Sequence, residues 1–223
     1  MSEQTDRAAR ADAAAAVRRL GHAMVSKVSD TNLLERIARE VDELARLAEE
    51  GGVRSRNPNT SRPFFEPPTA SSPPEHKNLF AESIISGELN PLSAGADLWS
   101  EEDEAVLEVS LGPAFEGAPG RAHGGVVAAL VDETMGIVLA IHDDAAYTGR
   151  LTVTYRAGTP VGETVTCRAR LTGREGRKLF MTAEVTSGGL LCAEAEAVFI
   201  TVDKQRFAAQ TDAGIPGATS TLN

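Results

Sequence analysis

The spacing of apolar residues predicts two helices in the first fifty residues. Between residues 5 and 50, one apolar stripe recurs at steps of three and four: Leu34, Ile37, Val41, Leu44 and Ala48. Asn32 and Glu35 predict a capping box at the start of the second helix, and Gly51-Gly52 predicts its end. We expect a helical hairpin hinged near Ser29-Asp30, whose stripes need cover from the main domain, a second subunit or another partner.

The remaining chain divides by composition and period. Residues 1–52 form the helical extension, residues 53–78 are a proline-rich linker, and residues 206–223 are rich in Ala, Gly, Thr and Ser and predict a flexible tail. The main domain is expected at residues 79–205. There the sequence predicts one helix over residues 124–141, apolar nearly all round and therefore buried, and five alternating strands around residues 105–111, 151–155, 164–171, 179–185 and 191–199.

Hairpin turns link the last strands, at Gly173 to Gly176 and at Ser187 to Gly189. Strands joined in this way form an antiparallel sheet, and the helix does not alternate with them. The sequence therefore predicts an α+β fold in which an antiparallel sheet wraps one buried helix.

Charge and cysteine content exclude several classes of function. The formal net charge is −10, and residues 79–223 hold 20 of the 32 acidic side chains but 10 of the 22 basic ones. A nucleic-acid partner is therefore not expected, and an anionic ligand would have to be held by local donors. The cysteines, Cys167 and Cys192, lie in strand patterns without the spacing of metal ligands, so we expect buried thiols, no metal and no other cofactor.

The N-terminal residues lack the apolar core of a signal peptide, and no apolar run approaches the ~20 residues of a membrane span. We therefore expect a cytoplasmic protein without a membrane span.

His123-Gly124-Gly125 precedes the predicted buried helix. Glycine lets a ligand approach the backbone, and the first N–H groups of a helix have no partner within it. This segment is a candidate oxyanion site, although a glycine-rich helix start without a ligand fits the same residues.

Asp132 and Glu133 interrupt the buried helix. A buried carboxylate is costly unless it is partnered or used, and the alternative is that both face a solvated edge. Asp132 lies eight residues after Gly124, about 12 Å along the helix axis. A single carbonyl cannot contact both groups of one chain, so joint action requires antiparallel helices from two subunits.

These residues, followed by Thr148, the strand Leu151 to Tyr155 and the segment Gly176-Arg177-Lys178, resemble the hotdog-fold acyl-CoA thioesterases. The similarity covers roughly residues 84–204 and lies with the branch of phenylacetate-pathway and human mitochondrial-type enzymes. It implies a hotdog fold, an acyl-CoA substrate and a homodimer or homotetramer whose sites combine groups from two subunits.

The resemblance implies a role for each matching residue. The Gly124 N–H would hold the thioester oxygen, Asp132 would act as general base or nucleophile, Thr148 would position water or the carboxylate, and His123 would orient the site. Further candidates for substrate binding are Gly125, Glu133, Asn90, Arg156, Arg177 and Lys178, with the cations reserved for the phosphates of CoA. Each of these cations could equally belong to a solvated basic edge.

Two other functions fit the same pattern less well. An enoyl-CoA hydratase would want an Asp–His pair in one tunnel, and His142 lies ten residues beyond Asp132. A non-catalytic acyl-CoA-binding or scaffold protein would not need Gly124, Asp132 and Thr148 together. A Ser-His-Asp mechanism is not indicated, because the chain has no Gly-x-Ser-x-Gly segment.

Overall fold

The computed structural model of the protein describes residues 3–52, 66–73, 76–78 and 80–204. Most of the expected linker and the whole expected tail lie outside these residues. The proposed domain boundaries therefore stay predictions.

Two helices form the N-terminal extension, α1 at Glu3–Ser26 and α2 at Thr31–Glu49. The N-cap of α2 is Asp30, whose carboxylate accepts a hydrogen bond from the Leu33 amide at 2.8 Å. The predicted capping box at Asn32 and Glu35 is therefore wrong, because the aspartate two residues earlier satisfies the free amide of the first turn.

The expected hairpin of α1 and α2 does not form. No residue of α2 is buried, and Val41 and Leu44 remain 44% and 65% exposed. Val17 and Met24 of α1 are also exposed. The backbone of Asp30, between the two helices, is extended. Helix α1 packs on the main domain instead, through the face that carries Arg18 and His22.

A six-stranded antiparallel sheet forms the body of the domain. Its strands are β1 (Asp97–Glu101), β2 (Glu104–Ser110), β5 (Ala146–Tyr155), β6 (Thr164–Glu175), β7 (Lys178–Ser187) and β8 (Leu190–Thr201), in the order β1-β2-β6-β7-β8-β5. Inward-facing residues of neighbouring strands lie opposite each other, as Cys167 does with Val185 and Ala169 with Ala183. The five predicted strands are thus present, while β1 was not predicted.

Helix α3 (Gly124–Ile141) packs against the inner face of the sheet. It buries apolar side chains such as Leu130, Met135 and Ile137 completely, each contributing about 1.5–3 kcal/mol to folding. Among the described residues, α3 is also the one helix long and apolar enough to cross a membrane by length and composition, but here it is the core helix of the domain. The predicted α+β arrangement is confirmed.

The segment before α3 consists of a 3₁₀ turn at Pro113–Phe115 and a small hairpin of β3 (Glu116–Ala118) and β4 (Arg121–Ala122). Gly117 of this hairpin lies against His123, so closely that a Cβ atom there would be 2.8 Å from its Cα. The hairpin therefore fixes the backbone immediately before α3.

Candidate active site

The start of α3 leaves one amide free. His123 is the N-cap, and its Nδ1 accepts a hydrogen bond from the Gly125 N–H at 3.0 Å, while the Val126 and Val127 amides donate to the His123 carbonyl. Among the described residues, none accepts a hydrogen bond from the Gly124 N–H. The predicted oxyanion donor is thus unsatisfied at the helix start, where the helix dipole favours negative charge.

In this contact the imidazole of His123 is the acceptor that caps the helix. The N–H of Gly125, a residue that the sequence suggested for substrate binding, is therefore used by the cap.

Tyr155 holds the other side of the helix start. Its hydroxyl donates to the Gly124 carbonyl at 2.7 Å, and its ring lies so close that a Cβ atom at Gly124 would be 3.1 Å from the hydroxyl oxygen. Tyr155 was not selected from the sequence, although it ends the strand that carries the family resemblance. A tyrosine at a strand end is the signal that could have found it, since its hydroxyl needs a polar partner or water.

Asp132 lies on the exposed face of α3 and is held from one side. Its Oδ1 accepts a hydrogen bond from the Thr148 hydroxyl at 2.7 Å. Thr148 reaches it from β5, just before the irregularity in the strand pairing between Thr148 and Arg150. No residue of the described part of the chain donates a hydrogen bond to the second carboxylate oxygen.

Gly125 and Asp132 share one face of α3. They are seven residues apart, which returns the helix to within about 20° of the same direction. Both are exposed, whereas most of the helix is buried in the fold. The helix start and the carboxylate therefore open onto one uncovered surface.

Glu133 points away from this surface into the protein. Its Oε1 accepts hydrogen bonds from the hydroxyls of Ser83 and Ser86, both at 2.5 Å. Burial raises the pKa of the Glu133 carboxyl above its ordinary value, although these hydrogen bonds oppose the shift. The sequence suggested Glu133 as a substrate-binding residue; here its contacts attach the segment at residues 80–96 to α3.

We expect Glu133→Gln to make the free energy of unfolding less sensitive to rising pH. A carboxyl with a raised pKa in the folded state stabilises the fold at low pH, and this contribution is lost as pH rises through the raised value. The amide oxygen of Gln can still accept both serine hydroxyls but does not ionise. Urea denaturation at pH 4, 5.5 and 7 should show that the free energy of unfolding of the variant increases relative to that of the wild type as pH rises. The exposed Glu196→Gln is the matched control, and a constant difference across this pH range would contradict the assignment.

Arg156 lies beside the helix start, as one wall of a depression of 560 Å³. His123, Gly124, Tyr155 and Arg121 also line it. Arg156 forms an ion pair with Glu194, with 2.6 Å between Nε and Oε2. Arg121 was not selected from the sequence, yet it has no ion-pair partner among the described residues and stacks its side chain over Gly158.

The other predicted cations and Asn90 lie apart from this depression. Arg177 donates from Nε and Nη2 to the Thr201 carbonyl at 3.1 and 3.0 Å. Lys178 borders a groove of 330 Å³ on the outer sheet face with Arg150 and Phe180. Asn90 hydrogen-bonds the Glu82 carbonyl and the Leu92 amide, so its side chain shapes its own loop.

Neither cysteine is placed for chemistry. Cys167 and Cys192 are free and buried, as predicted, and burial raises the pKa of the Cys167 thiol to about 12. At neutral pH this thiol is protonated and therefore a poor nucleophile. Within the described ranges, no group of three His, Cys, Asp or Glu side chains could hold a metal ion.

Comparison with known proteins accounts for this arrangement of helix and sheet. Residues 119–193 match the profile of the thioesterase superfamily. A solved structure described as a thioesterase superfamily protein superposes with a TM-score of 0.72 at 26% identity, covering 86% of this chain and 94% of that one. The central part of the chain therefore resembles the thioesterase superfamily. Its domain has the hotdog fold, and the high coverage of both chains extends the similarity to the N-terminal extension.

Curated members of the superfamily match the central part of the chain. Acyl-coenzyme A thioesterase THEM4 of Mus musculus is 36% identical over 94 residues, which is 41% of this chain and 40% of that protein. THEM5 of Mus musculus is 32% identical over 101 residues, 44% of this chain and 41% of that protein. The chain thus spans about two fifths of the length of the curated relatives it matches.

Proposed function

We propose that the protein is an acyl-CoA thioesterase that hydrolyses a fatty or aryl acyl-CoA to the free acid and CoA. The observation that carries the proposal is Asp132, exposed on the core helix and held by Thr148, on the same face as a helix start with a free Gly124 amide. The names of the curated relatives, which match the same region, support the substrate class.

The chemistry needs few groups because a thiolate is a good leaving group. The Gly124 N–H binds the carbonyl oxygen and stabilises the negative charge that develops there. The free oxygen of Asp132 takes a proton from an attacking water, or attacks the carbonyl carbon itself. With water as the nucleophile, a carbon–oxygen bond forms, the carbon–sulfur bond breaks, and the proton held by Asp132 goes to the CoA thiolate. With Asp132 as the nucleophile, the carbon–sulfur bond breaks as a mixed anhydride forms; water then cleaves the anhydride to the free acid and the Asp132 carboxylate, and the proton released goes to the CoA thiolate. Thr148 donates to the other oxygen and fixes the carboxylate's orientation.

The active site combines two subunits. Within one chain Gly124 and Asp132 are separated by about 12 Å along the helix, too far to contact the same carbonyl. A two-fold axis beside the exposed face of α3 brings Gly124 of one subunit next to Asp132 of the other. The same packing covers the face of α3 that one chain leaves open.

Arg121 and Arg156 are the cations best placed to hold the phosphates of CoA. Both line the depression next to Gly124, in a region of the chain that is otherwise acidic. The pantetheine arm would then run from this depression to the helix start. Arg177 and Lys178 remain candidates for the outer part of the nucleotide.

We expect Arg121→Ala to raise KM about tenfold while changing kcat little, because a phosphate contact that does not touch the reacting carbonyl binds substrate and transition state equally. Steady-state kinetics with one acyl-CoA at low salt measures this. Arg170→Ala on the outer sheet face is the matched control. A fall in kcat at unchanged KM would move Arg121 from phosphate binding to the chemical step.

Release of free CoA from a panel of acyl-CoAs, followed with a thiol reagent, tests the proposal. Purified protein should hydrolyse at least one short, medium, long or aryl acyl-CoA. Binding without release would favour a scaffold or binding protein, and hydration of an enoyl-CoA without release would favour a hydratase. Either result would overturn the proposed hydrolysis.

A further inference from the structure

Helix α1 contacts the main domain at two places that are far apart in sequence. Near its middle, Arg18 donates from Nη1 to the carbonyls of Asn90 at 2.6 Å and Glu88 at 3.3 Å. One turn later, His22 Nδ1 accepts the Ala114 N–H at 3.1 Å. Arg7 adds an ion pair with Glu88.

The contact at Arg18 is made with the loop that covers α3. Residues 80–96 form this loop, which buries Ile85 in the core and binds Glu133 through Ser83 and Ser86. Glu133 is the neighbour of Asp132. Burial lowers the pKa of Arg18 below its ordinary value, and the positive charge of the neighbouring Arg19 acts in the same direction.

The contact at His22 is made with the segment that leads to the helix start. The imidazole packs edge-on to Phe115, with ring centroids 5.5 Å apart, and covers Gly112 so closely that a Cβ there would be 2.5 Å from the ring. The Phe115 carbonyl in turn accepts the His123 N–H at 2.8 Å. His22 is therefore two hydrogen bonds from the residue that caps α3.

One helix thus touches the supports of both ends of the proposed site. The loop at residues 80–96 binds Glu133, the neighbour of Asp132 in the chain, and the segment at residues 112–118 contacts His123, the neighbour of Gly124. Asp132 and the Gly124 amide both lie on α3. The segments at residues 80–96 and 112–118, which pack against α3, therefore determine the position in which the helix meets the partner subunit. A displacement of the order of 1 Å can cost up to about 100-fold in rate.

We propose that α1 is a positioning element of the active site, with Arg18 and His22 as positioning residues that hold the segments at residues 80–96 and 112–118 in place against α3. This inference rests on the proposed hydrolysis. It assigns the N-terminal extension a part in turnover, in addition to any contact with a partner.

The test uses the full chain and three substitutions in α1, two at His22 and one at Arg19. His22→Ala removes the acceptor for the Ala114 amide, whereas His22→Asn restores an acceptor at nearly the position of Nδ1. Arg19→Ala changes the exposed residue next to Arg18 on the same helix and serves as the matched control. Each protein is measured for kcat and KM on the best acyl-CoA, and for hydrogen exchange of the Ala114 amide.

We expect His22→Ala to lower kcat about tenfold at nearly unchanged KM, with faster exchange at Ala114. His22→Asn should recover most of both losses, and Arg19→Ala should change neither. Faster exchange at Ala114 with wild-type kcat would overturn the positioning role. Failure of the wild type to release CoA from any acyl-CoA would instead overturn the proposed function, so the two failures are distinguishable.

Discussion

Asp132→Asn should lower kcat for acyl-CoA hydrolysis by about 10³-fold, the typical contribution of a positioned acid or base. The amide has the size and shape of the carboxylate and can still accept the Thr148 hydroxyl, so the fold and the substrate site should survive. It can neither take a proton from water nor attack a carbonyl. KM should therefore change much less than kcat, which steady-state release of CoA measures directly.

The control for this variant is Asp143→Asn, an isosteric change at an exposed aspartate just beyond the end of α3. Asp143 forms an ion pair with Lys204 at 2.6 Å and has a positive φ of 53°, which asparagine tolerates. It should hydrolyse acyl-CoA like the wild type. Turnover of Asp132→Asn within a few-fold of the wild type would remove Asp132 from the mechanism.

Gly124→Val should cause the second large loss, about 10²-fold in kcat. The added side chain would begin 3.1 Å from the Tyr155 hydroxyl and would stand between the helix start and an approaching carbonyl. The amide itself remains, so the loss comes from blocked approach and from the displacement of Tyr155. Circular dichroism and the unfolding temperature check that the variant is folded.

Gly173→Val is the matched control, because among the described residues a Cβ atom there would meet Phe180 alone, at an ordinary contact distance of 3.7 Å. This variant should keep wild-type turnover. If Gly124→Val also keeps it, the oxyanion donor must lie elsewhere.

The fold of the domain was predictable because its elements carry strong periods. Cys167, Ala169, Met181 and Ala183 alternate with polar residues, and the helix from Gly124 to Ile141 is apolar on nearly every side. Such patterns show which side of an element is buried, and they can be read within a short stretch of the sequence. The packing of α1 and α2 was not predictable in the same way, because an apolar stripe indicates that a helix face can be buried but not which surface it packs against.

The site was predictable in part. Asp132 and Glu133 were candidates because they interrupt an apolar helix, the resemblance to thioesterases selected Asp132, and the glycines indicated the helix start. The different roles of Asp132 and Glu133 could not be read from two adjacent acids, because they depend on serines about fifty residues earlier in the chain. Likewise the sequence does not distinguish Arg121 from Arg177, because their surroundings depend on the fold. Arg121 lines the depression beside Gly124, whereas Arg177 hydrogen-bonds the Thr201 carbonyl.

Mixing the two inactive variants tests the shared site most directly. Asp132→Asn and Gly124→Val subunits, unfolded together and refolded in equal amounts, should form mixed dimers that contain one intact site, with Gly124 from one chain and Asp132 from the other. Random pairing predicts about a quarter of the wild-type activity, while each variant refolded alone stays inactive. No recovery in a sample where mixed dimers are present would contradict a site built from two subunits.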